Sequence, residues 1–487
     1  MSKNDPLKDR LSILFVNPVL GIEIALTPPW GMLFVLAYAR EKRPQHAYHF
    51  QDFNVTKPDR ERQREILKQI HPHIVGMYAT TNYLHECLKL AKLVKETLPR
   101  CQVILGGHHV TARPDDTYPA VDCVVLGEGE AAFVELLDRY LSGQVIPRTC
   151  RAAKFLVNID FVPAWDLVDI WAYHPESGSY FKYRPQAWIT ASRGCPFDCT
   201  FCGSVVYRDS RPRHRRRSPS HVVDEIAFLQ RTHKIESFFF TDDEVNVHVS
   251  WLAEICDLIL QLPSPIRWAA QFRANPQLLP EWLVARMWES GCRAAGIGME
   301  SGCNEVLTYI QKQTTVEDNL RAAHLFKKHG IILHGCFMIG NVWADPAGNP
   351  DGERYEQIQK TRQFIHQLLN EGLLTSMSVS IASPLPGSTM EKLLRENGLL
   401  HICDYSLWEH QAIHRQTLTF RHPHLSEAEI QKTYEAIWRE ATFNLRLIGR
   451  RLGMISSWAD ALDFLRNGVY VIHKVVQGFG RLRHVRR

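Results

Sequence analysis

The chain has 487 residues, 45% hydrophobic and 22% charged, which excludes a disordered or collagen-like protein and leaves room for about two to four folded domains. Its formal charge of +5 is small for this length and by itself argues for no nucleic-acid partner. Twelve cysteines are too dilute for a disulfide-stapled secreted fold and read as reduced thiols or metal ligands. The polar first ten residues, the short apolar run 11–16 and the lack of a stretch long enough to span a bilayer predict a cytoplasmic protein.

From residue 11 to about 142, apolar runs alternate with helix-period segments. Strands are predicted at 12–17, 48–52, 74–79, 102–107 and 123–126, with helices at 31–40, 84–98 and 131–141. This is the rhythm of a doubly wound parallel sheet, whose ligands lie beyond the carboxyl ends of the strands. The residues there are Asn17-Pro18, Thr80-Thr81-Asn82, Gly106-Gly107-His108-His109 and Gly127-Glu128-Gly129-Glu130. Residues 143–186, rich in proline and aromatics, break the rhythm and read as a linker.

A second series follows, with strands at 187–191, 237–241, 266–272, 293–299, 331–339 and 376–381, and helices at 221–231, 251–262, 281–289, 316–329 and 353–369. Six βα units within 187–394 predict a partial (β/α)6 barrel of the TIM type, where side chains at strand ends carry the chemistry. The remainder, 395–487, reads as a helical C-terminal tail ending in the basic run 481–487. The expected fold class is therefore α/β.

Directly after the first strand of the second series comes Arg193-Gly194-Cys195-Pro196-Phe197-Asp198-Cys199-Thr200-Phe201-Cys202. Three thiolates on one tight loop suit three irons of a [4Fe–4S] cluster and leave the fourth iron open for a ligand. Incidental cysteines or an incomplete zinc site are the competing reading. Acidic residues recur at strand ends: Asp242, Asp243 and Glu244 after the second strand, and Glu300-Ser301 after the fourth. Carboxylates there could accept from an ammonium or from ribose hydroxyls; in isolation they would be helix caps or surface charges.

With this spacing, and with Phe201 before the last cysteine, residues 11 to about 395 resemble the radical S-adenosylmethionine superfamily. The resemblance implies that the open iron chelates S-adenosylmethionine, and that one electron cleaves it to methionine and a 5′-deoxyadenosyl radical. It further implies that Asp242, Asp243 and Glu244 lie near the methionine amino group, Glu300 and Ser301 near ribose and methionine, and Gly340 beside adenine. Residues 341–351 form an insertion where a short Pro-Gly-Glu turn is usual.

The first domain, 11–142, is similar to the flavodoxin-like (Rossmann-type) cobalamin-binding domains fused to one branch of that superfamily. A flavodoxin-like domain for another nucleotide is the alternative. The resemblance assigns Thr80, Thr81, Gly106, Gly107, His108, Gly127, Glu128 and Gly129 to cobalamin. The loop Asn17-Pro18-Val19-Leu20-Gly21-Ile22-Glu23 lacks the histidine that many such domains use as a lower axial ligand, so cobalamin is expected without histidine ligation.

The implied function is methylation of an unactivated carbon in a small molecule, of lipid or tetrapyrrole type among others. A cobalamin-dependent cyclase or rearrangement enzyme shares every cofactor motif, and a non-catalytic sensor is a third class. A flavodoxin or ferredoxin-type electron donor is implied. The basic run 211–217 reads as a solvated loop or a dock for such a donor rather than a nucleic-acid site, and the tail 445–487 reads as a domain-capping helical tail, with peripheral membrane contact as the alternative. The nine cysteines outside the cluster motif read as small buried hydrophobes.

Overall fold

The computed structural model describes residues 10–19, 27–153, 155–173, 181, 183, 185–204, 212–401, 418–453 and 465. Strand β1 (Ser12–Asn17) is buried along nearly its whole length, as expected of a strand covered on both faces. Around it the first sheet takes β2 (Ala47–Asp52), β3 (Ile74–Tyr78), β4 (Gln102–Gly106), β5 (Cys123–Val125) and β6 (Thr149–Cys150) in the order β2-β1-β3-β4-β5-β6. Every pairing is parallel. The order reverses between β1 and β3, and such a switch point opens a ligand crevice at the strands' carboxyl ends.

The sixth strand comes from the segment expected as linker. A helix the periodicity did not reveal, Arg60–Ile70, precedes β3; it is polar apart from buried Leu67 and the half-buried Ile66 and Ile70 that pack beside it. Helices Trp30–Lys42 and Gly129–Leu141 cover one face of the sheet. Their apolar side chains join Trp165 and Ile170 in a core continuous with that of the second unit.

The second sheet is built from β7 (Gln186–Ile189), β10 (Ser237–Phe240), β11 (Arg267–Phe272), β12 (Cys292–Glu300), β13 (Ile332–Ile339) and β16 (Ser376–Ile381), all parallel and adjacent in chain order. β7 and β16 form its two edges, so it is an open, partial barrel. Two ribbons decorate it: β8 (Ser192–Arg193) pairs with β9 (Arg215–Arg216), and β14 (Val342–Ala344) with β15 (Pro350–Gly352). The second ribbon is the insertion expected at 341–351. Helix Thr389–Glu396 crosses the expected boundary at 394, and helices Glu427–Thr442 and Leu445–Gly453 follow. Beyond 453 only Leu465 is described, so the expected membrane-contacting tail lies largely outside the described residues. Among the described residues no helix is long and apolar enough to cross a membrane.

Candidate functional site: two strand-end sites facing one cavity

The cysteine loop leaves β8 through Gly194, whose φ of +83° favours glycine. It is anchored by the Thr200 N–H donating to Ile310 O (3.0 Å) and the Met390 N–H donating to Thr200 O (2.9 Å). Phe201 is half-buried against Val306, Leu307, Ile310 and Trp343, so it secures the loop by packing. Cys199 is buried; Cys195 and Cys202 are half-buried. Burial pushes the Cys195 thiol up to about 12, a cost to the thiolate that ligation of a metal offsets. Among the described residues no three His, Cys, Asp or Glu side chains converge on one ion. A loop whose three thiolates each take a different iron of a cube has no need of such convergence.

The acidic residues divide by what they touch. Asp242, expected near an ammonium, is buried and accepts from the Ala191 N–H (3.1 Å) and from Ser192 Oγ. It staples the segment before the cysteine loop to β10, and burial pushes its carboxyl up to about 6. Asp243 instead faces the cavity described below. Glu244 keeps a buried Oε2 without a partner, and its Oε1 lies 3.9 Å from Arg273 Nη1.

Arg273 follows β11, is buried, covers the Phe197 ring at 3.5 Å and leaves its Nη2 unpartnered. Glu300 takes φ +59°, which disfavours a side chain, where the β12–β13 register shifts. It accepts from Lys312 Nζ at 3.0 Å. Against the cost of burial, the charges of Glu300 and Glu244 hold Lys312 protonated. An unpaired acceptor on Glu244 beside an unpaired donor on Arg273 fits a ligand that carries both an ammonium and a carboxylate, as S-adenosylmethionine does.

Two assignments made from sequence meet other partners. Ser301 Oγ lies 2.9 Å from Thr361 Oγ1 and accepts from the Cys303 N–H (3.1 Å), closing a buried knot. Gly340, at φ +74°, donates its N–H to Glu353 Oε2 (2.8 Å), which also accepts from the Asn341 backbone and side-chain amides (both 3.1 Å). The β14–β15 ribbon thus loops out and returns Gly352-Glu353 to the strand end where the short turn was expected. Arg273, Lys312 and Glu353 escaped the sequence reading. Arg273 was findable, being the first residue past a predicted strand.

The second site is a cavity of about 470 Å³ between the carboxyl ends of the first sheet and the barrel mouth. The first unit contributes Asn17, Trp30, Tyr78, Thr80, Gly106, Gly107, His108 and Gly127 through Glu130. The barrel contributes Thr190, Ser192 through Gly194, Thr241 and Asp243. Gly107 has φ +112°, and a Cβ there would lie 2.6 Å from Ala79 O. Thr80 Oγ1 is buried without a partner, so it is available to a ligand. Thr81 Oγ1 is 3.1 Å from His109 Nδ1. His108 Nδ1 lies 2.7 Å from Tyr78 OH, and burial lowers its pKa, leaving a neutral ring.

Gly129 answers to helix packing: its Cβ would lie 2.9 Å from Val35. Asn17 donates to both Asp52 oxygens (3.1 Å each), and Asp52 also accepts from Tyr173 OH (2.9 Å). Residues 20–23 of the histidine-free loop lie outside the described residues. A wide cavity floored by glycine, with one unsatisfied hydroxyl, fits a large flat cofactor such as cobalamin.

Glu128 lines the cavity, as its assignment to cobalamin requires, but its carboxylate is engaged by arginines. Its Oε1 accepts from Arg193 (3.0 Å) and Arg215 (2.7 Å), and its Oε2 from Arg215 (2.8 Å). Part of the basic run 211–217 is likewise drawn inward: Arg215 pairs with Glu128 and Arg217 with Glu225, both buried, while Arg213 pairs with Asp198 at the surface and Arg216 is exposed. Arg211 lies outside the described residues, as does Cys403. Of the other cysteines expected to be buried, Cys336 is only half-buried.

Comparisons agree with this geometry. The B12 binding domain family matches residues 25–137, and the radical SAM superfamily matches residues 189–343. An uncharacterised methyltransferase of Pyrococcus horikoshii is 28% identical over 391 residues, covering 77% of this chain and 80% of that protein. The anaerobic magnesium-protoporphyrin IX monomethyl ester cyclase of Cereibacter sphaeroides is 28% identical over 419 residues, covering 81% of this chain and 65% of the cyclase. The structure of the radical S-adenosylmethionine methyltransferase TsrM from Kitasatospora setae, with cobalamin and a [4Fe–4S] cluster bound, superposes with a TM-score of 0.65 at 18% identity over 88% of each chain. The chain thus joins a B12-binding domain to a radical SAM domain that follows it, the two facing a shared cavity.

Proposed function

We propose that the protein methylates an unactivated carbon of a small molecule, using cobalamin, S-adenosylmethionine and a [4Fe–4S] cluster. The observation that carries this reading is a shared cavity walled on one side by Gly106, Gly107 and Thr80 and on the other by Gly194 and Asp243. A carbon that must meet both a hydrogen-abstracting centre and a methyl donor has to lie between them. When bound, the cluster supplies the electron that cleaves S-adenosylmethionine, and cobalamin supplies the methyl group.

The chain's own residues bind and orient. Cys195, Cys199 and Cys202 ligate iron; Glu244 and Arg273 hold the amino and carboxylate ends of S-adenosylmethionine; Asp243 faces the substrate side. Thr80 and the Gly106-Gly107 turn seat the cobalamin, and Asp242 keeps the cysteine loop docked on β10. A flavodoxin or ferredoxin-type donor in the cytoplasm reduces the cluster, and the C-terminal tail offers peripheral membrane contact for an apolar substrate.

Similarity to the Cereibacter cyclase favours a second reading, ring formation with the same cofactors. Anaerobically reconstituted protein, given methyl-labelled S-adenosylmethionine, reductant and a metabolite extract, separates the two. A compound gaining the labelled methyl group supports methylation; a new product without label supports the cyclase.

A further inference from the structure

The junction between the two units holds four buried charges. Arg193 donates from Nη1 to Glu128 Oε1 (3.0 Å), and its Nη2 lies 2.7 Å from Glu130 Oε1. Arg215 grips Glu128 through Nη1 (2.8 Å) and Nη2 (2.7 Å). All four side chains are at most 7% exposed. Arg193 and Arg215 are opposite partners on the β8–β9 ribbon, so one ribbon delivers two guanidinium groups to one carboxylate. The Arg193 guanidinium also lies over the rings of Phe34 (4.8 Å) and Phe161 (5.2 Å), which fixes its plane.

Both ends of this clasp belong to the cavity wall. Arg193 immediately precedes Gly194 and Cys195, so its backbone cannot shift without moving the first cysteine. Glu128 follows Gly127, at φ +78°, and opens the helix Gly129–Leu141. Burial disfavours charge on Glu128, yet the hydrogen bonds from Arg215 and the charge of Arg193 hold its carboxyl below the usual range. A fully paired buried network is a poor source of net stability, because desolvation offsets most of the attraction, but it tolerates few geometries. Its charges balance, two against two, so it sets a position while adding no net charge to the cavity wall.

We propose that Arg193 is a positioning residue that registers the cysteine loop against the cobalamin-binding sheet through Glu128 and Glu130, and so fixes the separation of the two reacting centres. This rests on the cofactor reading above. Both cofactors have paramagnetic states, the reduced cluster and cob(II)alamin, so their dipolar coupling reports the separation in the full chain without any substrate.

The experiment compares cluster-to-cobalt distance distributions by pulsed electron paramagnetic resonance in wild type, Glu128→Gln and Arg193→Lys. A control, Arg362→Gln, breaks an ion pair between the barrel helix Tyr355–Asn370 and Glu440 of the helix Glu427–Thr442, remote in sequence from the clasp. The expected result is one narrow distribution for wild type and control, and a broadened, shifted one for both clasp variants with iron and cobalt contents retained. Unchanged distributions in cofactor-loaded clasp variants would overturn the proposal, as would equal broadening in the control. Should Glu128→Gln fail to fold or to load, Glu130→Gln decides by the same readout, since it removes one partner of Arg193 and leaves the Arg215–Glu128 pair. A wild-type chain that binds no cobalamin would instead sink the cofactor reading.

Discussion

Gly106 and Gly107 are neighbours in sequence, yet the structure gives them different reasons to be glycine. At Gly107 a Cβ would stand 2.6 Å from Ala79 O and 2.8 Å from Tyr78 Cδ2, on a backbone at φ +112°. The carbonyl belongs to the backbone after β3 and cannot rotate away, and the ring is the one that holds His108. Forcing a side chain into that backbone region costs about 1–3 kcal/mol, which lowers the melting temperature of a unit this size by several degrees. At Gly106 the nearest atom to a new Cβ is Val125 Cβ at 3.8 Å, an ordinary contact. Gly106→Ala should therefore leave the cofactor-free protein as stable as wild type, or more so by up to about 1 kcal/mol, while obstructing the cavity it lines. Thermal melts of the cofactor-free variants, followed by cobalamin loading read from visible absorbance, separate the two effects. Gly107→Ala should lose stability and cobalamin together; Gly106→Ala should lose cobalamin alone. If Gly107→Ala melts with wild type, crowding at that turn is not what selects glycine there.

Gly31 makes a companion case: it lines the cavity, lies in helix Trp30–Lys42 and has nothing within 4 Å of its would-be Cβ. Gly31→Ala should gain about 0.5–1 kcal/mol of stability yet weaken cobalamin binding, and unaltered affinity would show that the methyl group does not reach the ligand. Glu353 predicts a pH dependence. Burial lifts its carboxyl from 4.5 to about 7, so its contribution is fully present below about pH 4.5 and is lost as pH rises through about 7. That difference is about 3 kcal/mol. Glu353→Gln should flatten the stability profile across that window and melt above wild type near pH 8; parallel profiles would contradict the assignment.

Much of this was legible in the sequence, because the run 12–17 is apolar enough to declare a strand, 376–381 alternates serine with apolar residues at the strand period, and the CxxxCxxC loop is a local pattern that needs no fold to be read. What the sequence left open is which atoms are already spent. Asp242 and Asp243 are adjacent, but the chain turns one inward to staple Ser192 and the other to the cavity. Glu128 stands in a glycine-rich strand-end motif and is consumed by arginines 65 and 87 residues away, a pairing no local pattern encodes. Helix Arg60–Ile70 stayed hidden for the opposite reason: Ile66, Leu67 and Ile70 are its three apolar residues in eleven, too few to stand out as a periodic run although they pack together on the core.

The central claim is that a methyl group passes through cobalamin held against the cysteine-loop domain. It is tested most directly by incubating the reconstituted chain, loaded with reduced cobalamin, with S-adenosylmethionine labelled in its methyl group, and then extracting the cobalamin for mass spectrometry. The account predicts label on the extracted cobalamin from wild type and none from a chain whose cavity has been closed at Gly106. Tightly bound cobalamin that never acquires the label, in a chain that still forms 5′-deoxyadenosine, would contradict it.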